Sequence, residues 1–196
     1  LTWSGAGAME TVDLPLVDAE KTAPIDELID WLDHASYRVR LRAQRELIRR
    51  GQLDTRSTTD AANIATRLSK ILKRGTPRQR IHTLWVLEAI DFPKILSASD
   101  DKDPRVRTQA MRAVGNRRHR SGLKQLYRGL QDRQPTVRRE AAIALGRIAA
   151  PESLPELLQA IGDHDRFVAW SVSAALKRID RWNADTLATG ILESDG

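Results

Sequence analysis

From residue 24 onward the apolar positions recur every three or four residues, the period of an amphipathic helix. One pattern repeats. Tyr37-Arg38-Val39-Arg40-Leu41-Arg42-Ala43, with Leu47 four residues on, returns as Pro104-Arg105-Val106-Arg107-Thr108-Gln109-Ala110 with Val114. It returns again as Pro135 to Ala141 with Leu145, and as Arg166 to Val172 with Leu176. The valines at 106, 137 and 168 are 31 residues apart; the step from Val39 to Val106 is 67 and leaves room for a degenerate copy, Arg78-Gln79-Arg80-Ile81-His82-Thr83 with Leu87. Each copy is preceded by a shorter apolar segment: 25–32, 61–73, 92–97, 123–130 and 154–161. Asp33, Asp103, Asp132 and Asp163 mark the intervening turns, and the degenerate copy instead follows a long connection at 52–60. Pro104, Pro135 and Pro151 suit helix starts, where a missing N–H costs little, and Gly51, Gly75 and Gly162 suit helix stops. The pattern predicts five helix pairs, each unable to bury its apolar face alone and each covered by its neighbours.

The Asp…Val-Arg-x-x-Ala-x-x-x-Leu signature resembles the HEAT-repeat family, in particular its short bacterial form related to bilin-lyase repeats, over residues 24–180. That resemblance implies an all-α, right-handed α-solenoid serving as a noncatalytic protein-interaction scaffold. Two departures stand out: the second copy lacks the valine and the preceding aspartate, and the fifth carries Ala169 at the arginine position. The stretch Ala23 to Ile29 with Leu41 to Leu47 is also similar to HEAT segments of large bacterial proteins that join a propeller-type dehydrogenase domain to a c-type cytochrome, and that likeness implies export from the cytoplasm. The chain begins Leu1-Thr2-Trp3, so we read it as a piece of a longer protein. Residues 1–22 are expected to be an irregular leader or the end of a preceding domain, with Thr11 to Leu16 alternating like a strand, and residues 23–193 the solenoid.

Composition narrows the chemistry. The chain has 196 residues, 30% charged and 5% aromatic, a formal net charge of +6 and no cysteine. Thiolate metal sites, disulfides and cysteine nucleophiles are therefore excluded. Residues 10–33 carry eight acidic side chains against Lys21, so the positive excess lies on the repeats. The four histidines are scattered, and no phosphate-binding glycine loop or nucleophile elbow occurs, so neither a cofactor nor a metal is expected.

The arginines divide into two groups. Arg40, Arg107 and Arg138 follow the repeat, and pairing with Asp33, Asp103 and Asp132 would make a structural ladder between repeats. With about 100° per residue and Val39 at zero, Ala43 and Leu47 fall near 40° and 80°, whereas Arg38, Arg42, Arg45 and Arg49 fall between about 240° and 300°. The matching positions of the next copies are Arg78, His82 and Trp85, then Arg105, Gln109 and Arg112. In solenoids that this chain resembles, the second helix of each pair lines the concave face, so these ten residues are the candidate binding stripe. One reading is a solvated helix face. The other is a groove for an anionic partner, most simply an acidic peptide or protein, because guanidinium groups pair with carboxylates and stack on aromatics. Nucleic acid is the alternative partner, up to an alkylated-base DNA glycosylase, although Glu140 is the only acidic residue within the stripe.

Overall fold

A computed structural model describes residues 18–53, 58–118 and 120–180. Among the described residues every regular element is helical. A single turn, α1 (Ala19–Thr22), precedes five pairs: α2 (Ile25–Trp31) with α3 (Tyr37–Leu53), α4 (Thr58–Arg74) with α5 (Pro77–Ala89), a 3-10 segment (Pro93–Asp100) with α6 (Pro104–Arg117), α7 (Leu123–Leu130) with α8 (Pro135–Ile148), and α9 (Leu154–Gln159) with α10 (Arg166–Asp180). The second helices α3, α5, α6, α8 and α10 stack in succession, and each first element packs against its own partner. The protein is an α-solenoid.

The repeat positions explain the core. Val39, Val106, Val137 and Val168 are buried, as are Ala43, Ala110, Ala141 and Val172 one turn on and Leu47, Val114, Leu145 and Leu176 after that. In the second copy Gln79, Thr83 and Leu87 occupy those positions and are buried as well. Gln79 tolerates this because its amide donates to the Ile29 carbonyl at 3.1 Å. Proline opens α5, α6 and α8. Thr76 caps α5 by accepting the Gln79 N–H, and Asp103 caps α6 by accepting the Arg105 N–H.

Glycine sets the helix spacing in the second half of the stack. A Cβ on Gly115 would lie 2.6 Å from the Ala144 Cβ, and one on Gly146 would lie 3.0 Å from the Ala175 Cα. These glycines, nine residues after the repeat valine, let α6 approach α8 and α8 approach α10. The same position in α3 is Ile48, and contact between α3 and α5 is sparser.

Several sequence expectations change. Of the connection expected at 52–60, residues 52–53 and 58–60 are helical, since α3 runs to Leu53 and α4 begins at Thr58, and residues 54–57 lie outside the described residues. Gly51 is no stop; it lies within α3, where Ile90 packs against the space a Cβ would fill. The first element of the third pair is a 3-10 segment because Pro93 and the short Ser97-Ala98-Ser99 run give little helical support. Of the irregular leader expected at 1–22, Ala19–Thr22 is helical and packs on α3. Residues 1–17, including the strand-like Thr11 to Leu16, lie outside the described residues, as do residues 181–196.

Candidate functional site

In α6 and α8 the fourth residue is an arginine that reaches the next repeat. Arg107 Nε and Nη2 donate to Asp132 Oδ2 and Oδ1 at 2.7 and 2.8 Å, and its Nη1 donates to the Asp101 carbonyl at 2.7 Å. Arg138 repeats the arrangement with Asp163 at 2.6 and 2.9 Å and with the Asp132 carbonyl at 2.9 Å. Each guanidinium thus ties two repeats and satisfies a turn. Both arginines are raised in pKa, first by the bond to the partner carboxylate, and Asp163 is lowered by its bond to Arg138. Burial pushes Asp132 up, but Arg107 and the Gln134 N–H outweigh it and the net change is downward.

The pairing differs from the expected one in three places. Arg107 and Arg138 reach forward, to the aspartate of the next repeat. Asp103 does not meet Arg107; it caps α6 and is held by the Arg105 side chain, which brings its pKa down to about 2. The ladder aspartate of the third repeat is Asp101, which pairs with Arg80 at 2.9 Å. Arg80 and Asp101 were missed, yet both were findable: Arg80 lies 40 residues after Arg40, and Asp101 precedes its valine by five residues, as Asp132 and Asp163 do. Asp33 accepts the Thr76 hydroxyl at 2.6 Å, and Arg40 donates instead to the His34 and Ala35 carbonyls and to His82 Nε2 at 3.2 Å.

His82 therefore belongs to the framework. Its Nδ1 lies 2.8 Å from Gln44 Oε1, so the neutral tautomer that donates there leaves Nε2 to accept from Arg40. Burial, then the Arg40 and Arg78 charges, pull the imidazole from 6.5 to about 4. Trp85 meets the His82 ring edge-on at 4.8 Å and donates from Nε1 to Gln109 Oε1 at 3.2 Å. Arg112, at the corresponding place one repeat on, donates twice to the buried Glu140 at 3.1 Å. These bonds form a second inter-repeat series.

The ten stripe positions consequently separate. Arg42 bonds to Glu20 of α1, and Arg49 bonds to the buried Glu46 at 2.7 and 2.5 Å. Arg50, outside the predicted set, also holds Glu46 and donates to the Glu20, Lys21 and Ala23 carbonyls, fastening α1 to α3. Arg42, Arg45 and Arg49 share one cleft with Glu20, Lys21 and Glu46. A second cleft, about 530 Å³, brings together Tyr37, Arg78, Ile81, His82, Trp85 and Arg105. In it Tyr37 is 59% exposed, Trp85 is half-buried, and Arg78 and Arg105 are exposed. Arg38 and Arg45 are exposed too. Among the described residues no three His, Asp or Glu converge as a metal site, and no helix is long and apolar enough to cross a membrane.

Comparison with known proteins agrees with this architecture. No curated protein sequence matches the chain. Human deoxyhypusine hydroxylase, solved with glycerol, is similar at 19% identity and a TM-score of 0.55, over 81% of this chain and 74% of that one. An engineered protein is similar at 18% identity and a TM-score of 0.55, over 88% and 85%. A designed armadillo repeat protein in complex with the peptide (KR)4 is similar at 18% identity and a TM-score of 0.54, over 80% and 82%. The family model of HEAT repeats matches residues 92–177, so this stretch of the α-solenoid is built of HEAT repeats.

Proposed function

We propose that the chain is a noncatalytic interaction scaffold whose stacked second helices bind an acidic peptide or protein on the concave side. The observation that carries this reading is the cleft between the first three repeats, where the exposed Arg78 and Arg105 guanidiniums flank Tyr37 and Trp85. Aromatic rings give a peptide apolar contact at low entropic cost, and guanidinium groups give paired hydrogen bonds to carboxylates. The similar designed repeat protein was solved with the basic peptide (KR)4; the exposed arginines here suit an acidic one. Arg42, Arg49 and Arg105 each hold a carboxylate, Glu20, Glu46 and Asp103; Arg105 stays largely exposed beside Arg78, and these two are the cations that line the cleft with Tyr37 and Trp85.

The test is fluorescence anisotropy of a labelled glutamate-rich peptide at low salt, with the double variant R78E/R105E as control. Binding that the variant loses, and that unlabelled duplex DNA competes only weakly, supports the reading. Tighter binding of duplex DNA, weakening steeply with salt, would replace it with nucleic-acid recognition.

A further inference from the structure

The residue preceding each repeat valine is exposed in all five copies: Arg38, Arg78, Arg105, Thr136 and Phe167. All five lie in the first turns of the stacked helices, the ends tied together by the arginine ladder. The row changes character along the stack. It is cationic over the first three repeats and apolar at the fifth, where Phe167 is 56% exposed and Trp170, one turn on, is 71% exposed. Of the large hydrophobic side chains left exposed, Tyr37 and Phe167 lie in the first turns of second helices and Trp170 at the start of the next turn. The Arg166 guanidinium sits 4.7 Å from the Phe167 ring centre, which holds that ring against one side.

Resting on the reading above, we infer that this row takes one extended peptide of bipartite chemistry. Carboxylates lie over Arg38, Arg78 and Arg105, and an aromatic or aliphatic side chain packs on Phe167 and Trp170. Exposed tryptophan and arginine are the side chains that most often dominate peptide and protein contacts. Helices in contact stack about 8–10 Å apart, and an extended chain advances about 3.3 Å per residue, so about three peptide residues pass each repeat. The apolar group of the partner therefore falls about six residues from its nearest carboxylate and about twelve from its farthest, farther than one cleft reaches. Duplex DNA fits the row less well, because the row positions of its far half are Thr136 and Phe167, with Arg166 lying against the Phe167 ring.

The experiment compares three labelled twelve-residue peptides by anisotropy. One carries glutamate at every third position throughout. The other two carry three such glutamates at one end and a Phe-Leu pair at the other, in the two chain directions. One of the bipartite peptides is expected to bind at least tenfold tighter than the all-glutamate peptide. Trp170→Ser, an exposed position whose fold is checked by far-UV circular dichroism, should remove that gain and leave the all-glutamate peptide unaffected. R78E/R105E should weaken all three. Equal affinity of all peptides, or a gain that survives W170S, overturns the inference while leaving the acidic-peptide reading intact. Binding of the bipartite peptide that W170S abolishes but R78E/R105E does not touch overturns the acidic reading instead and, with it, the bipartite inference.

Discussion

His82 gives the solenoid a stability that depends on pH, and replacing it with glutamine isolates the effect. In the folded protein the imidazole sits at about 4, against 6.5 in an unconstrained chain. The folded state therefore resists protonation where the unfolded state accepts it, and the unfolded state binds more protons between these values. Stability must fall as the pH drops from 6.5 towards 4. Between pH 7.5 and pH 5 the linkage amounts to about 2 kcal/mol, at about 1.4 kcal/mol for each pH unit below 6.5. The lowered carboxylates, Asp103, Asp132, Asp163 and Glu46, lose their contributions only as pH falls below their ordinary values of 3.8 to 4.5, so this window belongs to the histidine. In H82Q the amide can accept from Arg40 and donate to Gln44 without a titrating proton. Urea unfolding followed by circular dichroism at the two pH values should show the wild type losing about 2 kcal/mol and H82Q losing much less. H82Q is expected to be up to about 1 kcal/mol less stable at pH 7.5, because the replaced bonds fit less well. Parallel losses in the two proteins would refute the argument.

Other substitutions probe the packing and the caps. Arg138→Ala strands Asp163 beside a turn and should cost about 2–4 kcal/mol, and a double-mutant cycle with D163A should show strong coupling. Gly115→Ala forces a methyl group against Ala144 and should destabilise by about 1–3 kcal/mol, while Gly162→Ala, with nothing within 4 Å, should be close to neutral; thermal unfolding of both distinguishes them. Ala149 closes α8 with φ at 55°, a left-handed conformation that glycine adopts freely, so Ala149→Gly should stabilise by up to about 1 kcal/mol in the same assay. Thr76→Ala removes both the α5 cap and the bond to Asp33 and should cost about 1 kcal/mol in urea unfolding.

The fold was legible in the amino-acid order because the repeat writes it several times. Val106, Val137 and Val168 come at one spacing, and each helix carries its own apolar period, so local pattern and stacked core agree. The short Leu123–Leu130 helix and the Pro104 and Pro135 starts were legible for the same reason. Which polar side chains bond to which was settled only when the helices packed. A helical wheel places Arg42, Arg49, His82, Trp85 and Arg112 on one outward stripe, but it cannot show that α1 brings Glu20 to Arg42 or that α8 brings Glu140 to Arg112. Nor can it decide whether Arg107 turns back to Asp103 or forward to Asp132, since both are near in repeat register and only the offset between stacked helices separates them. The periodicity fixes angles about one helix axis, whereas a binding surface depends on the distances between axes, and those arise only when the repeats pack.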